Sequence, residues 1–316
     1  MSSRDAATGS RTGRRATLIV NAMSRRGQRL FDEACHKLRD AGVVLDDAIA
    51  VRDPSKMDGE VKAAIARGTP MVIIGGGDGS ISETVDHFVG HGTAYAVLPL
   101  GTANSFARTL GLPLDMDSAV EVIARGAVRR IDLGKLNDDY FANVAGIGMP
   151  SLIGSTIPHG FKRVLGRPGY VIWAAWCLLR FRPFDVVLTE KGQAPRRFRA
   201  VEIRIANGRF LGGTKIADDV QLASGDITIQ VVTGGGRIGL MWNWLATTLR
   251  LPARQQAVES IRVTDARLET SPALPISVDG EVKMKTPVNV CAASGAICVV
   301  VPPDGDGRAD QTAWGG

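Results

Sequence analysis

The segment that decides the fold reads Ile73-Ile74-Gly75-Gly76-Gly77-Asp78-Gly79-Ser80. It places four glycines and one acid between an apolar run and the start of a predicted helix. Glycines let the backbone come within hydrogen-bond distance of a phosphate, and a helix start adds its positive end. A merely tight turn needs only one glycine, so the segment favours an anion-binding loop. It lacks the GK[ST] ending of the P-loop and the glycine spacing of the dinucleotide fingerprint.

Short apolar runs and amphipathic segments alternate on both sides of this loop. Strands are predicted at residues 16–21, 43–51, 71–74 and 94–99, and helices at residues 27–41, 58–67 and 80–89. Alternation at this pace predicts a doubly wound, mostly parallel sheet with helices on both faces. The N-terminal half is therefore predicted to be an α/β, Rossmann-like nucleotide domain.

The pattern changes after Ile131 and Asp132. Short strands with Gly and Asn turns follow at residues 140–144, 185–189, 198–206, 227–232, 260–264, 274–278, 288–291 and 296–301, with helical inserts at 169–180 and 237–250. This succession predicts an antiparallel β-sandwich. The predicted organisation is α/β plus all-β, with a disordered basic tail at 1–15, an α/β domain at 16–133, a β-sandwich domain at 134–301 and a flexible tail at 302–316.

The composition is that of a folded protein. The 316 residues are 45% hydrophobic and 22% charged, which excludes general disorder and suits two domains. The formal net charge of +6 is compatible with nucleic acid, an anionic nucleotide or an anionic membrane, and does not choose among them. No apolar run reaches the roughly 20 residues that span a bilayer, and the basic N-terminus lacks the apolar stretch of a secretory signal. We therefore expect a cytoplasmic protein.

Three motifs connect the glycine-rich loop with the rest of the chain. They are Gly76-Gly77-Asp78-Gly79, then Leu98-Pro99-Leu100-Gly101-Thr102-Ala103-Asn104-Ser105, and finally Asp279-Gly280-Glu281. With these motifs in this order and at these separations, the chain resembles the diacylglycerol kinase catalytic family, which is related to sphingosine and ceramide kinases. The resemblance covers residues 16–301. It implies ATP-dependent phosphorylation of a hydroxyl on a membrane lipid, with ATP and Mg²⁺ as cofactors.

The resemblance implies a nucleotide site at the carboxyl edge of the parallel sheet. The residues that it assigns to this site are Asn21, Arg26, Gly75, Gly76, Gly77, Asp78, Gly79, Gly101, Thr102, Asn104 and Arg108. Independently of family, loops that follow neighbouring parallel strands meet at one edge, where open sheets bind ligands. The ordinary alternatives are an exposed basic loop at Arg26, helix capping by Thr102 or Ser105, and a surface arginine at Arg108.

Acidic side chains must supply the base and the metal ligands of a phosphoryl transfer. Strand alternation predicts that Asp279 and Glu281 point the same way. The resemblance implies that Asp279 is the general base and that Glu281 serves the magnesium or orients the base. A hairpin Asp-Gly turn with incidental charges is the alternative. Asp78 is the third candidate catalytic acid and a candidate metal ligand, with capping of the following helix as its alternative.

The resemblance also implies an accessory magnesium network, to which Asp132 corresponds as a metal ligand. In some bacterial members that network includes an aspartate where this chain has Ser105. A hydroxyl is a poor substitute for a carboxylate on Mg²⁺. We therefore expect the accessory site to be absent or weakened and the catalytic magnesium to be less affected. A second departure is Met149-Pro150, where related chains continue with an aromatic residue and an aspartate.

A membrane lipid as acceptor requires an apolar groove and a means of docking on the membrane surface. Residues 169–180 are nearly all apolar with basic flanks, and residues 240–250 carry Trp242 and Trp244 near arginines. Both patterns suit peripheral membrane association, with the second as the better candidate, and packed helices are the alternative. Neither segment discriminates among diacylglycerol, ceramide, a sphingoid base and phosphatidylglycerol. A homodimer is compatible with the sequence, which does not decide the oligomeric state.

Two other functions are consistent with parts of this pattern. A soluble NAD kinase also combines a GGDG loop with a β-rich domain, but the segment at 98–108 and the apolar inserts favour a lipid acceptor. A non-catalytic lipid-binding relative is suggested by Ser105 and Met149-Pro150, whereas retention of the three acids favours an enzyme. We expect no nucleic-acid partner, because the basic residues are scattered and no aromatic RNA-binding motif occurs.

Overall fold

The computed structural model describes residues 13–148, 176, 182–217, 220–233, 257–279 and 281–303. The helices are α1 (Arg25–Asp40), α2 (Met57–Ala66), α3 (Asp78–Thr84), α4 (Ser105–Thr109) and α5 (Met116–Arg125), with 3₁₀ turns at Pro54–Lys56 and Val85–Phe88. The strands are β1 (Arg15–Asn21), β2 (Val44–Val51), β3 (Met71–Gly76), β4 (Ala94–Pro99), β5 (Ala127–Leu136), β6 (Asp139–Phe141), β7 (Val144–Gly148), β8 (Phe184–Glu190), β9 (Arg196–Ala206), β10 (Phe210–Leu211), β11 (Thr214–Lys215), β12 (Ile227–Thr233), β13 (Ala257–Val263), β14 (Asp265–Ser271), β15 (Pro275–Val278), β16 (Glu281–Lys285) and β17 (Val288–Val301). Across these described ranges, no helix is both long enough and apolar enough to cross a bilayer.

The N-terminal part is a parallel sheet with helices on both faces, which confirms the predicted α/β class. The strand order is β2-β1-β3-β4-β17, and each neighbouring pair is parallel. β3 and β4 are buried at every residue, as central strands are when helices cover both faces. The apolar sides of α1 and α5 join the core on one face, and those of α2 and α3 join the core on the other.

The second part is the predicted antiparallel β-sandwich. β9 pairs with β8 and β7 along one edge and with β12 along the other. Its core is built mainly of valine, isoleucine and leucine side chains, which suit the pleated surface of packed sheets. The β15-β16 hairpin adds to the free edge of β7, and this pairing brings residues 279 and 281 close to the beginning of β7.

The last strand joins the two parts. The sequence predicts separate strands at 288–291 and 296–301, but β17 is continuous. Its first half pairs with β14 of the sandwich, its second half pairs in parallel with β4, and β5 lies antiparallel along both halves. The predicted interruption was wrong. Gly295, with a φ of +57°, marks a register shift inside the strand between Ala293 and Ile297, not the end of the strand.

Among the elements that the sequence analysis does not predict are α5, β5 and β14. The start of α5 has a readable signal, since the Asp115 carboxylate accepts a hydrogen bond from the Ser118 N–H as an N-cap. β5 runs through residue 133, where the sequence places a domain boundary. The predicted helical inserts at 169–180 and 237–250 lie outside the described residues, apart from Trp176, which is helical and exposed.

Gly134 of β5 lies directly under the ring of Phe141, the last residue of β6. The two residues are paired in register, and a Cβ at Gly134 would lie 2.1 Å from the ring. Phe141 is buried and immediately precedes Ala142. Its packing on Gly134 therefore positions the backbone just before β7.

We expect Gly134→Ala to destabilise the protein by about 1–3 kcal/mol, because the ring has no free volume into which to move. The matched control is Gly59→Ala inside α2, where a Cβ meets nothing within 4 Å. That change should stabilise by about 0.5–1 kcal/mol, since alanine favours a helix. Urea unfolding of both variants measures the two signs, and equal free energies of unfolding would contradict the packing argument.

Candidate active site

Two glycine-lined loops meet at the carboxyl edge of the parallel sheet. The first follows β3 and the second follows β4, and the Leu100 N–H donates to the Gly76 carbonyl at 2.9 Å. A Cβ at Gly101 would lie 2.5 Å from the Gly77 Cα, and a Cβ at Gly76 would lie 2.5 Å from the Ser80 Oγ. Glycine is therefore required at these positions, and the surface that a ligand meets there is backbone.

Asn104 shapes the second loop from inside. Its backbone is left-handed with a φ of +49°. Its side-chain Oδ1 accepts from the Gly101 N–H at 3.0 Å, and its Nδ2 donates to the Gly101 carbonyl at 2.9 Å. Direct contact with a nucleotide was expected of Asn104. The structure instead uses both ends of the buried amide within the loop, so the residue supports the loop that would make such a contact.

Asp78 links the two loops. Gly77 is the N-cap of α3, and the Asp78 Oδ1 accepts from the Phe106 N–H in α4 at 3.3 Å. The carboxylate therefore caps α4, not the helix that follows it in sequence. α4 is held in turn by edge-to-face aromatic contacts of Tyr95 with Phe106 and with Phe88, at centroid distances of 6.3 and 4.6 Å.

A cavity of about 220 Å³ opens beside the first loop. Its lining residues are Asn21, Ser24, Arg26, Gly27, Leu30, Gly76, Gly77 and Leu100. The structure thus brings together four of the predicted nucleotide residues, from the end of β1, the start of α1 and the first loop. Ser24, Gly27 and Leu30 were not predicted. The sequence does indicate the pair Ser24 and Gly27, because a serine before a helix is typical of an N-cap. In the structure the Ser24 Oγ accepts from the Gly27 N–H.

The other predicted loop residues lie around this cavity. Gly79, Gly101 and Thr102 are exposed on the rim. Gly75 lies below it, where a Cβ would come within 2.7 Å of a Val20 methyl. The Asn21 Nδ2 donates to the Ser80 Oγ at 3.4 Å, so β1 and α3 are joined beneath the first loop.

Asp279 occupies the tight turn between β15 and β16, with a left-handed φ of +47°. Its backbone N–H donates to the Val144 carbonyl at 3.1 Å. Its carboxylate accepts from the Val144 N–H at 3.1 Å and from the Ala142 N–H at 3.3 Å. The hairpin and the beginning of β7 therefore fix the carboxylate from both sides.

The environment of Asp279 raises its pKa to about 6. The main cause is burial of the carboxylate, although the residue as a whole keeps some exposure. Backbone N–H groups of residues 142–144 act in the opposite direction, and the negative charge of Asp78 raises the pKa further. The two carboxylates are thus close enough for their charges to interact.

Glu281 lies one strand position beyond the turn and is exposed. Glu281 is close enough to Glu83 on α3, a residue that the sequence analysis does not single out, for their charges to interact. Burial, followed by the charges of Glu281 and Asp58, raises the pKa of Glu83, while Lys283 lowers it. The sequence signal for Glu83 is its position five residues after Asp78 in the same helix.

Asp132 and Ser105 are both engaged by backbone groups. The Asp132 Oδ2 accepts from the Gly225 N–H at 2.6 Å, and its Oδ1 accepts from the Gly295 N–H at 2.8 Å. The Ser105 Oγ accepts from the Gly213 N–H at 3.1 Å. Asp132 thus has a structural use, tying β5 to the loop before β12 and to the irregularity of β17.

Arg108 does not line the cavity beside the glycine loop, so its phosphate contact stays a prediction. Its Nε donates to the Ala103 carbonyl at 2.9 Å, and its side chain lines a different cavity.

Comparison with known proteins finds similarity over nearly the whole chain. Residues 15–136 match the model of the diacylglycerol kinase catalytic domain, and residues 148–301 match the model of the YegS C-terminal NAD kinase beta sandwich-like domain. A "Probable lipid kinase YegS-like" of Pseudomonas syringae pv. tomato is 30% identical over 92% of this chain and 94% of its own length. The chain belongs to the diacylglycerol kinase family of lipid kinases.

Other members of the diacylglycerol kinase family cover the chain to a similar extent. A protein named "Diacylglycerol kinase" of Staphylococcus carnosus is 27% identical over 92% of this chain and 96% of its own length. The crystal structure of a diacylglycerol kinase from Bacillus anthracis superposes with a TM-score of 0.73 at 22% identity, over 92% of this chain and 98% of that one. That structure shares the fold.

We expect Gly101→Ala to weaken ATP binding about tenfold, because overpacking of this kind costs about 1–3 kcal/mol and pushes the two loops apart at Gly77. Gly92→Ala is the matched control, since a Cβ there meets nothing within 4 Å. Equilibrium binding of a labelled ATP analogue compares the two variants, and circular dichroism checks that both are folded. Equal affinities would show that the contact between the loops does not shape a nucleotide site.

Proposed function

We propose that this protein transfers the γ-phosphoryl group of ATP to a hydroxyl of a membrane lipid. The observation that carries the proposal is the nearness of Asp279 to Asp78 in the first glycine-lined loop, which is close enough for the charge of Asp78 to act on the Asp279 carboxyl group. Besides burial, which is the main cause, the charge of Asp78 raises the pKa of Asp279, so the end of the first loop and the hairpin are electrostatically coupled. A phosphate cradle and a carboxylate base in one crevice are what phosphoryl transfer to an alcohol requires.

The cavity beside the first loop holds the triphosphate in this proposal. The backbone at Gly76 and Gly77 can approach phosphate oxygens, because no side chain intervenes. The Arg26 guanidinium contributes positive charge at the mouth, and Asn21 contributes a side-chain amide at the end of β1. Thr102 and Gly101 cover the rim from the second loop.

Asp279 is the proposed acceptor of the lipid hydroxyl proton. Its two hydrogen bonds from backbone N–H groups leave further lone pairs on both oxygens. A carboxyl group with a pKa of about 6 is ionised at neutral pH and is still a better base than an ordinary aspartate. The clamp at Ala142 and Val144 orients the carboxylate, so little reorganisation is needed for the proton transfer.

The donor set in the crevice fits Mg²⁺. This cation takes one or two protein carboxylates together with the phosphates of its substrate. The Asp78 Oδ1 is bonded to the Phe106 N–H, and its Oδ2 carries no hydrogen bond within the described residues, so it is available with Glu281 to hold the ion. When bound, Mg²⁺ offsets negative charge on the transferred phosphoryl group. Asp132 is not part of this proposed set, because its buried carboxylate joins β5 to the loop before β12 and to β17.

The acceptor is proposed to enter from one end of the sandwich. Gly148 pairs with Glu202, both Phe184 and Thr233 pair with Ala200, and Ala257 pairs with Thr233. Each of the two apolar, basic inserts of the sequence lies between two strands. The strand ends on both sides of both inserts therefore lie beside residues 200–202 of β9. This convergence supports joint docking of both inserts on one membrane surface.

The distance from that end to the crevice suits a lipid headgroup. β7 runs from Gly148 to Val144, whose N–H binds Asp279, and four residues of strand span ~13 Å. The side chain of Trp176, in the first insert, is exposed, and aromatic residues of this kind are typical of the headgroup zone. Peripheral association with the cytoplasmic face of a membrane is thus part of the proposal.

The direct test offers acceptors in parallel to the purified protein with Mg²⁺ and γ-labelled ATP. Diacylglycerol, ceramide, sphingosine and phosphatidylglycerol are presented in anionic or zwitterionic vesicles, and NAD is presented in solution. We expect label in a lipid, at a higher rate on anionic vesicles. Asp279→Asn should lower the rate by about 10²–10⁴-fold with ATP binding retained, because asparagine tolerates the left-handed backbone but cannot take up the proton.

Asp265→Asn, at an exposed position of β14, is the control for the loss of one carboxylate. Its rate should equal that of the wild type. Label that enters only NAD would overturn the lipid acceptor, and full turnover by Asp279→Asn would remove this residue from the base role.

The raised pKa of Asp279 predicts the shape of the pH dependence. Below about pH 6 the carboxyl group is protonated and cannot accept the hydroxyl proton, so kcat/KM for the lipid should fall toward a tenfold loss per pH unit. Above that pH the rate should level off. Initial rates between pH 5 and 8 at saturating Mg²⁺ and ATP measure this limb. A profile without a limb in that range would contradict proton transfer to Asp279.

A further inference from the structure

A second cavity, of about 280 Å³, lies between the two parts of the fold. The end of α4, the first half of β5 and the β10-β11 pair enclose it. Four arginines line it, namely Arg108, Arg129, Arg130 and Arg209, together with Lys215. It shares no lining residue with the cavity beside the glycine loop.

Each of the four arginines is oriented by a backbone carbonyl. Arg108 donates to Ala103 at 2.9 Å and Arg209 donates to Val220 at 2.8 Å. Arg130 donates to Gly295 at 3.1 Å, as the third such case. None of the four forms an ion pair with a carboxylate of the described residues, so their charges converge without compensation inside this part of the chain.

Among the four arginines, Arg129 is the one whose buried donors are not all satisfied. One of its terminal nitrogens donates to the Pro303 carbonyl at 3.4 Å. Its Nε and Nη1 are buried and have no hydrogen-bond partner among the residues that the structure describes. Buried donors without a partner are rare, because each carries a desolvation cost, and a charged donor carries a larger one. An anion that enters the cavity would satisfy both nitrogens and offset the repulsion among the guanidinium groups.

The remaining lining restricts the kind of anion. Ile131, Phe210, Leu222 and Val301 provide apolar walls beside the arginines. The volume exceeds that of an inorganic ion and suits a small group attached to a phosphate. We propose that this cavity binds a dianionic phosphate monoester, as a second ligand site separate from the cavity beside the glycine loop. The ester is carried either by a lipid headgroup or by a small soluble molecule.

The test measures binding with the nucleotide site filled by a saturating non-hydrolysable ATP analogue, so that the glycine loops do not contribute. Glycerol 3-phosphate is titrated calorimetrically into the full chain, with glycerol as the neutral comparison. In a second arm, flotation with phosphatidylcholine vesicles that contain or lack phosphatidic acid tests the headgroup source. We expect saturable binding of the phosphate ester in at least one arm and no binding of glycerol.

The double variant Arg129→Gln with Arg130→Gln should weaken that binding about tenfold or more, because it removes two charge-assisted contacts. The double variant Arg196→Gln with Arg197→Gln removes the same charge from an exposed part of β9 and should bind like the wild type. Arg130→Gln alone, at an exposed residue, gives the same comparison if the first double variant does not fold. Equal affinity of the wild type and the Arg129 and Arg130 variants, or binding in neither arm at millimolar ligand, would overturn the proposal.

Discussion

The carboxylate of Asp279 lies between the backbone N–H groups of Ala142 and Val144, and the candidate active site depends on this clamp. Burial raises the pKa of Asp279 and the N–H groups lower it, so their balance leaves a group that is ionised at neutral pH yet basic enough to take a proton. The clamp is a consequence of strand pairing, because the same hairpin that carries Asp279 extends the sandwich at the edge of β7. Any change in that pairing register would carry the carboxylate away from Asp78.

The crevice has a defined shape because β5 and β17 belong to both parts of the fold. Two domains joined by a flexible linker would leave the distance between the glycine loops and Asp279 variable. A strand that pairs with β14 in its first half and with β4 in its second half removes that freedom. The Asp132 carboxylate reinforces the junction, because it binds the Gly295 N–H where the register of β17 shifts. Asp132, an acid of the type that can bind a metal, thus stabilises the junction that positions Asp78 and Asp279.

The sequence predicts the fold class and the two glycine loops because both rest on local signals. Alternation of apolar runs and glycines at strand ends are visible without any knowledge of packing. The directions in which side chains point depend on packing and cannot be read from these local signals. Asn104 lies in the second loop and Arg108 lies shortly after it, but the Asn104 amide bonds within the loop from a left-handed backbone, and Arg108 lines the other cavity. Glu83 escaped notice because its partner Glu281 is about 200 residues away in sequence and meets it only through the hairpin.

Negative charge lies at the start of α4 and positive charge at its end. The net charge of the chain does not reveal this separation. Asp78 caps the first turn of this helix on the crevice side, and Arg108 lies in its last turn beside the other arginines. Five helical residues span only ~7.5 Å, which is comparable to the Debye length of about 8 Å at physiological salt, and protein rather than solvent fills the space between. The arginine-lined cavity therefore contributes positive potential to the crevice where acids are concentrated and where a triphosphate would add more negative charge. An anion in that cavity would cancel part of this potential, so occupancy of the two sites should oppose each other, and by thermodynamic linkage each ligand would weaken the other by the same factor.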